Sequence, residues 1–165
     1  MELEGLYMQQ LGNHEKAEKL LTQSIALVRK NSRLSSKDLL DTELYRELGD
    51  IYAEQKKYDE AIKSYDKGIA LLYSDDDEVE LRVNAETLNI LSRRANTLKA
   101  KNEMSSIDRD LGDAREAYLE LISYLDKMKT SYLNEDSKFF IAEKATSIYG
   151  EAIDVLYSEY LQSKS

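Results

Sequence analysis

The chain contains no cysteine, no proline and no tryptophan. It has only six glycines, two phenylalanines and one histidine in 165 residues. Each absence removes a class of answer. Without Cys there is no disulfide framework, no thiolate nucleophile and no Cys-built zinc site. Without Pro, and with so little Gly, the usual punctuation of strands and tight turns is missing, so an all-helical chain is expected. A single histidine, His14, rules out an H-E-x-x-H zinc motif, and the missing Cys rules out a His–Cys dyad. The glycines are scattered, so they build no phosphate-cradling loop, and no G-x-S-x-G occurs. No apolar run approaches the roughly 18 residues of a membrane-spanning helix. Met1–Gly5 lacks the basic and apolar regions of a signal peptide. The expectation is a cytoplasmic protein with no membrane partner, no metal, no cofactor and no enzymatic activity.

What is present is charge and tyrosine. There are 32 acidic residues against 23 basic ones, a net charge of −9. Such a surface repels phosphates, so nucleic acid is not the expected partner. Carboxylates this frequent fall at helical spacing by chance, and pairs such as Asp50 and Glu54 read as a solvated face. The run Ser74-Asp75-Asp76-Asp77-Glu78 has neither the alternating ligands nor the central Gly of a calcium loop. It reads instead as the acidic start of a helix. Twelve tyrosines suit helix–helix seams that are half-buried, because the ring packs while the hydroxyl reaches water.

Apolar residues recur at helical spacing through most of the chain. Ala17, Leu21, Ile25 and Val28 mark a helix over His14–Lys30. Two further helices cover Leu39–Gln55 and Tyr58–Tyr73. Longer ones are read over Glu78–Lys101, Ile107–Lys129 and Ser137–Tyr160, and a short apolar piece, Met1–Leu11, precedes them all. These form hairpins at about 1–30, 38–74 and 78–129 with a closing helix at 135–162, in one domain spanning 1–165. Met1–Leu11 looks like a helix cut short, so the chain is expected to be a fragment of a longer protein.

The central hairpin carries the most specific pattern. Tyr45-x-x-Leu48-Gly49-x-x-Tyr52 is followed, after a polar break, by Tyr58, Ala61-x-x-x-Tyr65 and Gly68. This resembles a tetratricopeptide repeat, in which an aromatic, a Leu-Gly pair and a Tyr precede an Ala, three residues and an aromatic. Ala17 stands 44 residues before Ala61 (61 − 17), against a usual period of about 34, so the helices are expected to be extended. The resemblance implies antiparallel helix hairpins stacked as a short right-handed solenoid of about seven helices.

The resemblance also implies function: a non-enzymatic module that binds a peptide or protein partner in the concave face lined by the first helix of each hairpin. Carried over by position, that groove comprises Glu43, Arg46, Asp50 and Glu54. With Ser92 set where Gly49 stands, the next hairpin adds Asn89, Arg93 and Asn96. Chaperone-binding members of the family hold a C-terminal carboxylate with Lys and Asn; here Asp50 stands in place of the Asn and would repel it. Residues Leu121 to Tyr160 are also similar to the repeats that precede CHAT domains, caspase-like modules of bacteria. That leaves alternative roles open: a spacer or oligomerising segment of a larger signalling or protease protein, or a helical-bundle ligand carrier. Exposed ends of the stack would serve homo-oligomerisation.

Overall fold

The structure is a computed structural model. It describes residues 13–30, 37–72, 84–105, 108–131, 135–162 and 164. Among these every regular element is a helix: α1 His14–Lys30, α2 Lys37–Glu54, α3 Tyr58–Ala70, α4 Ala85–Ser105, α5 Asp108–Ser131 and α6 Glu135–Gln162. The expected helix over Met1–Leu11, the acidic run at 74–78 and the break at Gly12 lie outside the described residues. The helices form two compact units, Met1–Arg82 and Val83–Ser165.

In the first unit α2 packs against both α1 and α3. Asn13 caps α1, its side-chain oxygen accepting from the Lys16 amide at 3.4 Å. Glu15 in the first turn and Arg29 and Lys30 in the last match the helix dipole. Ala17, Leu21 and Ile25 of α1 interlock with Leu44, Leu48 and Ile51 of α2, all buried. The pairing is antiparallel: Glu18 near the start of α1 accepts from Tyr52 Oη late in α2 at 2.8 Å, while Arg29 near the end of α1 lies 3.9 Å from the buried Asp41. The Tyr45 ring lies between two cations, Arg29 at 5.4 Å and Lys67 at 5.9 Å.

The turn from α2 to α3 is a tight C-cap. The Lys57 amide bonds to the Tyr52 carbonyl and the Lys56 amide to the Ala53 carbonyl, each at 2.9 Å. Lys56 sits in the left-handed region, φ 59°. These are the two bonds of a Schellman cap, with Lys in the place that usually holds Gly.

In the second unit α5 packs against α4 and α6. Asn84 caps α4, accepting from the Thr87 amide at 2.8 Å. Its own backbone exchanges two bonds with Tyr124 Oη: the amide donates at 2.8 Å and the carbonyl accepts at 3.0 Å. Asn84 is a bend, so α4 begins at Ala85, later than the Glu78 expected from apolar spacing. α6 runs antiparallel to α5: Lys129, late in α5, donates to Tyr149 at 3.0 Å, and Arg115, early in α5, donates to Glu159 at 3.1 Å. The core here is Leu88, Leu91, Leu98, Leu111, Leu121, Leu125, Ile141 and Ile148 with Ala95, Ala114, Ala145 and Ala152.

Candidate binding cleft

The repeat signature is built around one close approach. Gly49 of α2 and Tyr65 of α3 touch: a methyl group at Gly49 would lie 2.7 Å from Cδ1 and 2.8 Å from Cζ of the ring. The Tyr65 hydroxyl then donates to Asp50 at 2.7 Å. Ala61 is fully buried beside it, and the Thr42 hydroxyl donates to the Gly68 carbonyl at 3.3 Å. Small residues bring two helices together, and a tyrosine across the seam fills the contact and donates to the Asp50 carboxylate.

The second unit repeats this arrangement. Tyr118 of α5 donates to Asn96 of α4 at 2.6 Å. Burial, with the nearby carboxylates of Glu151, Asp154 and Glu103, pushes the Tyr118 phenol well above its ordinary range, so it stays a donor. The equivalent bond makes Asn96 the counterpart of Asp50 and Ala95 the counterpart of Gly49, a shift of three positions from the Ser92 register expected from sequence. The pattern of burial agrees: Asp41, Thr42, Leu44, Tyr45, Gly49 and Ile51 are buried in α2, as are Thr87, Leu88, Ile90, Leu91, Ala95 and Thr97 in α4. In this register Asn89 takes the place of Glu43, Ser92 that of Arg46, Arg93 that of Glu47 and Lys99 that of Ala53.

On α2 the residues expected in the groove are already engaged with one another. Arg46 bonds Glu47 at 2.6 Å and Asp50 at 3.4 Å, with all three side chains largely covered. Burial raises the Glu47 carboxyl above its usual value, and Arg46 only partly offsets this. Glu54 lies 3.5 Å from His14 Nδ1, and Glu43 is exposed. His14 is thus a partner of Glu54 at the α1–α2 seam.

On α4 the expected residues line a cleft. Asn89, Arg93 and Asn96 stand with Leu88 and Ser92 along one wall; Lys144, Ser147, Ile148 and Glu151 of α6 form the other, and Tyr118 and Leu121 of α5 the floor. Its volume is about 220 Å³. Lys99 ties the walls together by bonding Glu151, and it approaches Asp154 at 3.4 Å. Burial alone would lower the Lys99 pKa, but the two carboxylates more than offset it, so the ammonium is held charged. Glu151 is thus paired with Lys99, and Arg93 and Lys144 are the cations of the lining itself. The Lys144 ammonium also lies 5.7 Å from the Phe140 ring centre.

Sequence reasoning missed Ser92, Lys144, Ser147 and Glu151. The second-helix half of the pattern was legible, since Ala114-x-x-x-Tyr118 repeats Ala61-x-x-x-Tyr65, but it does not set the register of α4, because Tyr118 stands 22 residues after Asn96 (118 − 96) and Tyr65 only 15 after Asp50 (65 − 50). The α6 wall has no such mark, because its membership depends on how α6 lies on α5.

A tetratricopeptide repeat family model matches residues 3–74. That span, 72 of the 165 residues, holds α1, α2 and α3, with Gly49, Ala61 and Tyr65 at the contact the pattern requires, and this part of the chain is similar to tetratricopeptide-repeat proteins. Its all-helical architecture agrees with that class, whose members are in general protein-interaction modules rather than enzymes. No curated protein matches the chain. Among the described residues no helix is long and apolar enough to cross a membrane, and no cluster of His, Asp and Glu is placed to hold a metal ion.

Proposed function

We propose that this chain is a non-enzymatic recognition module whose second unit binds an extended peptide segment bearing an acidic side chain. The cleft between α4 and α6 carries this reading. Its floor is apolar and aromatic, suited to a small side chain. Its walls offer amides from Asn89 and Asn96 and hydroxyls from Ser92 and Ser147, groups that pair with a peptide backbone. Asn96 is held by Tyr118, so its amide orientation is set before a ligand arrives, which lowers the entropy lost on binding. Arg93 and Lys144, on opposite walls, favour a carboxylate between them. The α2 face differs: with Arg46 engaged by Glu47 and Asp50, it offers mainly negative charge through Glu43 and Glu54.

Selection from a random peptide library on the wild-type chain, with affinities measured against an Arg93→Glu, Lys144→Glu variant, tests the reading. Acidic peptides are expected to be enriched, and to bind the variant at least about tenfold more weakly, since charge-assisted hydrogen bonds contribute about 1.5–3 kcal/mol each. Equal affinity for both proteins would place recognition elsewhere. An Arg46→Glu variant serves as the control and is expected to retain these peptides.

A further inference from the structure

The face of α6 that looks away from α5 is apolar, and it has the position of a helix-binding face. The buried row of α6 is Ala145, Ile148, Ala152 and Val155, which corresponds to Asp41, Leu44, Leu48 and Ile51 in α2. One step round the helix, α2 presents Thr42, Tyr45 and Gly49 to α3, and all three are buried. The same step in α6 presents Thr146, Tyr149, Ile153 and Tyr157. Here Tyr149 is half-buried and the other three are exposed. The row extends through Ala142, Gly150, Leu156 and Tyr160 without a charged residue. Ile153 is 63% exposed, Tyr157 60% and Tyr160 52%. In α2 the equivalent face is covered by an antiparallel helix.

We propose that a second copy of this chain covers that face, α6 pairing antiparallel with α6 about a two-fold axis at Ile153. The row is self-complementary in this arrangement. Tyr149 meets Tyr157 of the other copy, Thr146 meets Tyr160, and Leu156 enters the space beside Gly150. Gly150 supplies an independent reason. A glycine in mid-helix is less favourable than alanine by about 1 kcal/mol, yet a methyl group there would meet nothing within 4 Å among the described residues. Packing among the described residues therefore gives no cause for it, whereas close approach of a second helix does. Gly112 is equally open, but Arg115 and Glu116 follow it on that face and no apolar row accompanies it. The polar margins also match, Glu143 of one copy lying near Lys164 of the other. The exposed parts of Ile153, Leu156, Tyr157, Tyr160 and Leu161 amount to roughly 600 Å² per copy for side chains of this size. Two copies together reach about 1,200 Å², the lower end for a specific interface.

The absence of cysteine makes the test direct. Sedimentation velocity on the wild-type chain at micromolar concentrations is expected to show a dimer. Ile153→Asp is expected to be monomeric with unchanged helical circular dichroism, because Ile153 is exposed and contributes little to the fold of one copy. Ile153→Cys is expected to form a disulfide-linked dimer on mild oxidation, and Ser158→Cys, on the polar face of α6, is not. Gly150→Ala is expected to raise the melting temperature of the Ile153→Asp monomer while weakening the wild-type dimer by about tenfold, through overpacking at the axis. A monomeric wild-type chain overturns the proposal, including the case in which the row is instead covered by a helix of another protein. So does a dimer that survives Ile153→Asp, or equal cross-linking at the two cysteine positions.

Discussion

Gly49 and Tyr65 meet so closely that the first carbon of any side chain at residue 49 would enter the ring. Gly49→Ala is therefore expected to destabilise the first unit by about 1–3 kcal/mol, since the ring belongs to a fully buried tyrosine with little room to retreat. Urea unfolding followed by circular dichroism would measure it. Ala95 holds the equivalent position in α4, so the second unit accommodates at that seam the methyl group that the first unit excludes. Tyr52 carries a pH dependence. Burial, reinforced by its hydrogen bond to Glu18, pushes its phenol up to about 12. The unfolded phenol titrates near 10. A folded pKa above the unfolded one means that the contribution is intact below about pH 10 and is lost as pH rises toward 12. Tyr52→Phe is expected to reduce the loss of stability in that window, as read from thermal melts across alkaline pH.

Helix ends carry the next set of effects. α4 starts where Asn84 accepts the Thr87 amide and where the Asn84 backbone closes a pair of hydrogen bonds with Tyr124. Asn84→Ala removes the cap and leaves the backbone pair, so a loss of about 1 kcal/mol is expected. Tyr124→Phe should couple to it in a double-mutant cycle. At the other end of α2, Lys56 holds a left-handed conformation within the Schellman cap. A residue with a Cβ is strained there by about 1–2 kcal/mol, and glycine is not. Lys56→Gly is accordingly expected to stabilise the first unit by up to about 1 kcal/mol, after allowing for the added freedom of the unfolded chain. A lower melting temperature would contradict the assigned turn. α6 is an element of a different kind, one row packed on α5 and the next row exposed, and this supplies the surface for which a second copy is proposed.

At the scale of the whole molecule, the chain divides into Met1–Arg82 and Val83–Ser165, each with its own core. In repeat proteins stability is nearly a sum over units and their neighbours. The pieces 1–82 and 83–165, expressed separately, are each expected to retain helical circular dichroism and a cooperative melt. Loss of helix in either piece would show that its core depends on the other. The two units also differ in charge at the positions proposed for binding. α2 presents Glu43, Glu54 and an internally neutralised Arg46, whereas α4 and α6 present Arg93 and Lys144. The net charge of −9 therefore does not describe the cleft, and an acidic ligand is compatible with it.

By itself the sequence determined the helical class, the near-absence of turn punctuation, the antiparallel hairpin around Gly49 and Tyr65, and the similarity to tetratricopeptide repeats over residues 3–74. These follow from spacing and from small residues opposite aromatic ones, which are local properties of the chain. Tertiary structure alone decided the register of α4, because apolar residues in a long helix recur at several spacings, and only the Tyr118–Asn96 bond selects among them. It decided that Lys144, Ser147 and Glu151 face Asn89, Arg93 and Asn96, residues some 50 positions apart in the chain (144 − 93 = 51). It also decided which of two apolar rows on α6 is buried. Both rows read alike in sequence, and the difference between them is only the presence of α5 on one side.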